Sequence, residues 1–164
     1  SERNVYECKE VRPLKVQVPG EMLFADMNDI DTLSEMSFQF QKEEYGDRLE
    51  KNIDEMRNEV VIPAIRKQNL LKWVDKGVIK SILQVSISDV NAPSIMHFFT
   101  KEEVRKQGYG YALAWHATND VLFEYESCGL VTKRNYIPSN KTFQNVGYEK
   151  VYDWIKVIVE PARQ

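Results

Sequence analysis

The part of this chain that could do chemistry is Arg105-Lys106-Gln107-Gly108-Tyr109-Gly110, where two glycines and a basic pair separate two apolar segments. Residues 94–100 form a short segment of bulky, mostly apolar side chains, as in a buried strand, and residues 111–123 have apolar residues at helical spacing. Glycines let a backbone approach an anion closely, and the first turn of a helix presents N–H groups without internal partners. The segment therefore predicts a phosphate site, to which Arg105 and Lys106 add positive charge.

Other interpretations of the two glycines compete with this one. Two glycines before a helix also occur in a plain tight connection, and the string alone leaves that open. The dinucleotide fingerprint needs a third glycine and an acidic residue ending a second strand about 20 residues on, whereas Glu124 and Glu126 precede the next strand. The phosphate-loop motif needs Gly-Lys followed by Ser or Thr, and the sequence has none here.

Composition limits the partners. At 164 residues the chain fits one domain with a sizeable core, and its net charge of −3 gives no bulk attraction for nucleic acid. No apolar run approaches the roughly 20 residues that cross a bilayer, so we expect no membrane partner. Cys8 and Cys128 come without an export signal, which predicts reduced thiols in the cytoplasm. His97 and His116 have no partner at zinc-site spacing, so no metal site is predicted.

The elements around the glycine turn alternate between strand and helix patterns. The predicted order is strand, two helices, hairpin, strand, glycine turn, helix, strand, short helix and strand, a mixed α/β sheet with helices on both faces. The strand–helix–strand unit in its middle should be parallel and right-handed. Pro63 should end or kink the second helix. The predicted bounds are 21–26, about 28–44, 49–63, 70–74 with 78–85, 94–100, 111–123, 129–132, 141–146 and 148–159.

The first twenty residues are harder to assign. Residues 5–11 and 14–18 alternate like strands, and no Met begins the chain. We expect residues 1–20 to be a linker or lead-in strand from a possible upstream half. Residues 21–160 would then form the domain itself.

Three stretches, in this order, resemble the Gcn5-related N-acetyltransferases, the GNAT family. Residues 23–31 are similar to the family's opening strand and helix start, and Arg105-x-x-Gly108-x-Gly110 is similar to its pyrophosphate-binding motif. Residues 135–148 are similar to its late Asn-containing helix and Gly-aromatic step. The resemblance covers roughly residues 20–159. It implies a mostly antiparallel sheet with one parallel, splayed strand pair, and acetyl-CoA as the acyl donor in the split.

The resemblance also implies residues for the cofactor. Main-chain groups of the strand before the turn would hold the pantetheine arm, N–H groups of the turn would hold the pyrophosphate, and the late helix would contact the far side. By position, the implied set is Phe98, Phe99, Thr100, Arg105, Lys106, Gln107, Gly108, Tyr109, Gly110, Tyr111, Asn135, Asn140 and Phe143.

The reaction implied is direct transfer of an acetyl group to a primary amine. An alkylammonium group must first lose its proton, so His97 and Glu44 are candidate bases. His97 lies on the strand beside the implied thioester, and we expect it to titrate near neutral pH. The family commonly has a Tyr acid where this chain has Phe143, which leaves Ser139, Tyr136 and Tyr148 as substitutes. The alternative is a catalytically weak or inactive CoA-binding domain within a longer protein. The acceptor would be a small-molecule or peptide amine, and an upstream domain or a homodimer is possible.

Overall fold

The computed structural model describes residues 2–46, 48–88, 90, 92–134, 136–155 and 162. The strands are β1 (Glu2–Cys8), β2 (Glu21–Phe24), β3 (Leu70–Asp75), β4 (Val78–Ile87), β5 (Pro93–Thr100), β6 (Cys128–Lys133) and β7 (Glu149–Ile155). The helices are α1 (Ile30–Tyr45), α2 (Ile53–Met56), α3 (Ile62–Arg66), α4 (Tyr109–Glu124) and α5 (Ile137–Val146). Short 3-10 turns precede α1 and follow β5.

Within the described part of the chain, the strands form one sheet in the order β2-β3-β4-β5-β6-β1-β7. Neighbouring strands pair antiparallel except β5 and β6, which are parallel. One core cluster contains residues of α4 and α5, and the other contains residues of α1 and α3, so helices cover both faces. The predicted fold class, a mixed and mostly antiparallel sheet with one parallel pair, is confirmed.

The second helical segment does not end at Pro63. A π-helical turn, Arg57–Val61, joins α2 to α3, and Pro63 lies in the first turn of α3. Proline lacks the N–H that an α-helix uses, and its ring clashes with the carbonyl four residues earlier. A wider turn at this place relieves both conflicts, so the helical path continues to Arg66.

The N-terminal segment contributes an interior strand. β1 pairs with β6 on one side and with β7 on the other, so it completes the sheet of residues 21–155. Residues 14–18, which alternate like a strand, form no strand; this segment instead crosses the α4 and α5 side of the molecule, where Lys15 N–H donates to Tyr111 Oη and Lys15 Nζ donates to Asn145 Oδ1. Arg12 N–H donates to Val146 O, and Trp115 Nε1 donates to Arg12 O. The domain boundary at residue 20 stays a prediction.

Other bounds also differ from the predictions. α2 begins at Ile53 rather than at residue 49, because Asn52 caps it and accepts from Glu55 N–H. α5 begins at Ile137 rather than at residue 141, because Pro138 suits a first helical turn, where its missing N–H costs nothing. The last strand is described as Glu149–Ile155, and residues 156–159 of its predicted span lie outside the described residues. No described helix is long and apolar enough to span a membrane.

Candidate active site

The sheet opens between its two parallel strands. β5 and β6 are in register only at Ser94 with Gly129 and at Ile95 with Leu130. Further along, β5 carries a bulge, since Phe99 pairs with Ile82 whereas Met96 pairs with Gln84. Two residues, His97 and Phe98, therefore face one position of β4, and the φ of His97 is +56°. The bulge bends β5 at the point where its pairing with β6 has ended.

A cleft of about 920 Å³ adjoins this opening. Its walls come from the end of α1, the end of β5, the glycine turn, the start of α4, the end of β6 and the start of α5. The lining residues are Phe40, Glu43, Glu44, Phe98, Phe99, Thr100, Val104, Arg105, Lys106, Gly108, Tyr109, Gly110, Tyr111, Lys133, Tyr136, Pro138, Ser139 and Thr142.

The glycine turn has the geometry of an anion site. Lys106 (φ +65°) and Gly108 (φ +89°) are both left-handed, and α4 begins directly afterwards at Tyr109. The first bond of α4 runs from Ala112 N–H to Gly108 O at 2.9 Å. Within the described residues, the N–H groups of residues 106–111 have no hydrogen-bond partner. Successive free N–H groups at a helix start favour an anion such as phosphate.

The side chain of Arg105 is engaged by the protein itself. Its Nε donates to Thr100 O at 2.9 Å, its Nη2 lies 2.6 Å from Glu43 Oε1, and its guanidinium stacks over the Phe99 ring at 5.3 Å. Arg105 thus joins the ends of β5 and α1. Lys106, the other residue of the predicted basic pair, is exposed, and its side chain does not take part in these contacts.

Most of the sequence-predicted site residues meet in the cleft. Glu44, Ser139, the β5 residues and the turn residues line it, except Gln107. His97, Asn140 and Phe143 do not line it, and Asn135 lies outside the described residues. Sequence reasoning missed Phe40, Val104, Lys133, Pro138 and Thr142. Lys133 carried a usable signal, because it is the first charged residue after the apolar strand that borders the split.

The side chain of Asn140, a residue of α5, is buried, and both its Oδ1 and its Nδ2 are hydrogen-bonded. Its Oδ1 accepts from Asn4 Nδ2 (3.3 Å), Tyr6 Oη (3.0 Å) and Thr132 Oγ1 (2.5 Å). Its Nδ2 donates to the carbonyl oxygens of Lys133, Arg134 and Tyr136. A contact from this amide to a cofactor would require one of these bonds to break. Its predicted cofactor role stays a prediction.

Phe143 is a core residue. Its ring lies 5.1 Å from that of Phe98 and 5.7 Å from that of Tyr148, and its side chain is buried. Tyr148 is buried too and bonds Thr118 Oγ1, and this burial raises the pKa of its hydroxyl far above the ordinary value. Tyr136 is exposed and lines the cleft. Of the tyrosines considered as acids, Tyr136 is therefore the one that can reach a bound molecule.

The expectation that His97 titrates near neutral pH is wrong. Its Nε2 lies 2.8 Å from Ser37 Oγ and its ring packs 4.7 Å from Phe40, both on α1. Desolvation at this contact lowers the pKa of His97 to about 4. The imidazole is therefore neutral at pH 7 and packs α1 against the bulge, and its low basicity makes it a poor acceptor for the proton of an ammonium group.

This depressed pKa predicts an acid-sensitive fold. An unfolded His has a pKa near 6.5. Between about pH 6.5 and 4, His97 is therefore protonated in the unfolded chain and neutral in the native state. Stability should therefore fall as the pH is lowered through this window, by about 2 kcal/mol from this residue. Urea unfolding at pH 7 and pH 4.5 measures it, compared with His97→Asn, which tolerates the left-handed backbone. Equal pH dependence in both proteins would contradict the prediction.

The remaining charges lie at the α1 end of the cleft. Glu44 Oε2 lies 3.1 Å from Lys133 Nζ and 3.4 Å from Arg3 Nη1, and Lys133 Nζ also bonds the main-chain oxygen of Glu44. Glu44 thus ties α1 to β6 and β1. Among the described residues, no cluster of metal-ligating side chains occurs.

Neither family models nor curated proteins match this sequence. Solved structures do. An acetyltransferase of the GNAT family from Colwellia psychrerythraea superposes with a TM-score of 0.73 at 10% identity, over 91% of this chain and 52% of that one. The chain thus spans about half of that protein's length.

Two further structures contain the cofactor. The PaiA N-acetyltransferase of Thermoplasma acidophilum in complex with coenzyme A has a TM-score of 0.62 at 17% identity, over 76% of this chain and 87% of that one. A predicted acetyltransferase of Clostridium acetobutylicum with acetyl-CoA has a TM-score of 0.61 at 15% identity, over 84% and 95%. The fold that the three motifs implied is confirmed.

Proposed function

Starting from its GNAT acetyltransferase fold, we propose that this chain is an acetyl-CoA-dependent N-acetyltransferase that moves an acetyl group directly to a primary amine. The observation that supports it is the cleft at the split of β5 and β6, which is lined by Lys106 and by residues 108–111 of the segment with free N–H groups. A bound acetyl-CoA would place its diphosphate at the free N–H groups and its thioester in the cleft beside the bulge of β5. The cofactors bound by the Thermoplasma and Clostridium proteins agree with this choice of donor.

Each part of the donor has a place in the cleft. The pyrophosphate takes the N–H groups at the start of α4, with Lys106 contributing charge. The pantetheine arm lies along Phe98, Phe99 and Thr100, where β5 has no partner strand on the β6 side. The glycine turn and β5 meet at Gly110, so the two binding elements are held in a fixed relation.

The chemistry needs an amine, a polarised carbonyl and a leaving thiolate. The neutral amine attacks the thioester carbon, forming the N–C bond, and the C–S bond breaks as the tetrahedral intermediate collapses. Main-chain N–H groups near Phe98 and Phe99 stabilise the oxyanion. The ammonium proton leaves to a base and a proton reaches the thiolate, whose ordinary pKa near 8.5 makes the acid's contribution modest.

Glu44 is the candidate base that lines the cleft, and Tyr136 and Ser139 are the candidate acids. Glu44 is held by Lys133 and Arg3, so it would act on an amine that approaches between α1 and β6. His97 has no place in this scheme, because its ring packs on α1 and does not line the cleft, and a pKa of about 4 makes it a weak proton acceptor.

Coenzyme A should raise the melting temperature. At about 100 times the Kd, a ligand that binds only the native state stabilises it by about 2.7 kcal/mol, which is about 5–10 °C for a chain of this size. Lys106→Glu, which adds a negative charge at the turn, should weaken CoA binding at least tenfold, whereas Lys141→Glu on the exposed side of α5 should not. No shift at millimolar CoA would reject the proposal.

The alternative is a CoA-binding domain with little or no turnover. The burial of Phe143 at the position of the family's usual acid favours it. Thiol release from acetyl-CoA with a broad amine panel separates the two, since sustained release with any amine establishes an enzyme. A cytoplasmic location and an upstream domain or a second copy as partner stay predictions.

A further inference from the structure

The acceptor end of the cleft is the end between α1 and β6, where Lys133 lines the wall and Arg3 stands beside Lys133 in the sheet. Arg3 of β1 and Lys133 of β6 are direct partners in the antiparallel register. Like charges directly opposite each other destabilise a strand pair. A single carboxylate, Glu44, bridges both of them. One negative charge therefore neutralises two positive ones at this place.

The neighbouring ion pair does not remove the excess. Glu43 and Arg105 pair at 2.6 Å on the same side of the cleft. Three cations thus stand with two carboxylates, which leaves the acceptor end with a local charge of +1. His97 next to it is neutral at pH 7. This sign contrasts with the net charge of −3 for the whole chain.

An apolar row lies beside the cations on the same face of the sheet. Val131 is two residues before Lys133, and Val5 is two residues after Arg3, so alternation puts them on one face. Val131 pairs with Val5, and Val5 pairs with Tyr152 of β7. Val131 and Tyr152 are 49% and 58% exposed, so this row offers apolar surface about 7 Å from the cations.

We infer that the acceptor is an α-amino acid with an apolar side chain. This rests on the proposed function and names its substrate class. The carboxylate would lie at Lys133 and Arg3, the side chain on the Val131 row, and the amine at the split beside Tyr136. Polyamines and aminoglycosides, which carry several positive charges and no carboxylate, are disfavoured by the same surface.

L-Leucine and L-leucinamide form a matched pair for the test, because they differ only in the carboxylate. Removing the carboxylate lowers the pKa of the amine, so leucinamide has more of the reactive neutral form at pH 7.5. Intrinsic reactivity therefore favours the amide. We expect the opposite from the protein: a kcat/KM for leucine at least tenfold above those for leucinamide and spermidine.

Two variants test whether Lys133 is the residue that recognises the carboxylate of leucine. Lys133→Met should raise the KM for leucine about tenfold and leave the KM for acetyl-CoA unchanged, since it removes one cation and keeps Arg3 on Glu44. Lys141→Met, exposed on α5 and outside the cleft, is the matched control with wild-type values expected. A purely structural role for Lys133 would change both KM values or the melting temperature alone.

A binding measurement covers the case of slow turnover. With CoA saturating, leucine at 10 mM should raise the melting temperature more than leucinamide does at equal ionic strength. If leucine and leucinamide raise the melting temperature equally, if leucinamide raises it more, or if spermidine is turned over faster, the inference is overturned. The proposed function still stands in that case, provided that CoA raises the melting temperature. Absence of any CoA shift is a different failure, since it removes the proposed function and the inference with it.

Discussion

Gly110→Val should abolish CoA binding and lower stability by about 3 kcal/mol. A Cβ at this residue would lie 2.8 Å from Phe98 Cζ and 2.8 Å from Thr100 Oγ1, closer than real side-chain contacts. Phe98 packs 5.1 Å from Phe143 and Thr100 Oγ1 bonds Ser81 Oγ, so these side chains have little room to give way and the start of α4 shifts away from β5. Inserted groups in a packed site typically cost about 1–3 kcal/mol, occasionally more. The free N–H groups move with the helix, so the phosphate and pantetheine sites lose their relation. Calorimetric titration with CoA and urea unfolding measure the two effects.

A pair of smaller substitutions separates crowding from a general effect of losing glycine. Gly110→Ala should weaken CoA binding, although alanine itself favours a helix by up to about 1 kcal/mol. Gly129→Ala on β6 meets only Tyr6 O at 3.7 Å and Pro93 O at 3.9 Å, which are ordinary contacts, and should bind CoA like the wild type. If Gly110→Ala and Gly129→Ala bind CoA equally well, the close approach of α4 to β5 is not what positions the donor site.

The glycine turn could be predicted from sequence because its determinants are local. Free N–H groups at a helix start follow from where the helix begins, and Gly108, with φ +89°, sits where a left-handed residue is needed. The flanking strand and helix are each marked by their own periodicity. The hairpin of β3 and β4, predicted at residues 70–74 with 78–85, follows from sequence for the same reason, since its turn residues lie between two strand patterns.

The position of β1 could not be predicted in this way. Its alternation predicts a strand, but pairing with β6 and β7 joins residues 120 or more positions apart. Nothing in a local pattern says which edge or gap a strand will enter. The same distance hid the surroundings of Asn140, whose partners Asn4 and Tyr6 come from β1.

His97 shows a third kind of failure. Strand alternation gives no answer at a bulge, because the extra residue shifts the faces of its neighbours. The bulge lies just beyond the last pair of β5 with β6, and no residue type in the segment indicates it. Its side chain therefore packs on α1 with a pKa of about 4, whereas the sequence suggested a group that titrates near neutrality beside the thioester.

Asn140→Asp should destabilise the protein by about 4 kcal/mol and lower its melting temperature by about 10 °C. The change keeps the shape of the side chain but replaces a donor to three carbonyl oxygens with an acceptor. Each buried polar group left without a partner costs about 1–3 kcal/mol, and a buried charge costs more. Because these bonds join β1, β6 and the start of α5, the cleft wall around Ser139 should loosen as well.

Asn145→Asp on the same helix is the matched control. Asn145 is only partly buried and accepts from Lys15 Nζ at 2.9 Å, a bond that a carboxylate keeps, so its melting temperature should stay within about 1 °C of the wild type. Thermal unfolding with and without CoA then decides what Asn140 does. A large loss of stability without ligand identifies it as the joint between β1, β6 and α5. A wild-type melting temperature combined with weakened CoA binding would instead make it a direct cofactor ligand, as the family resemblance implies, and its six internal bonds would have to be of little consequence for the fold.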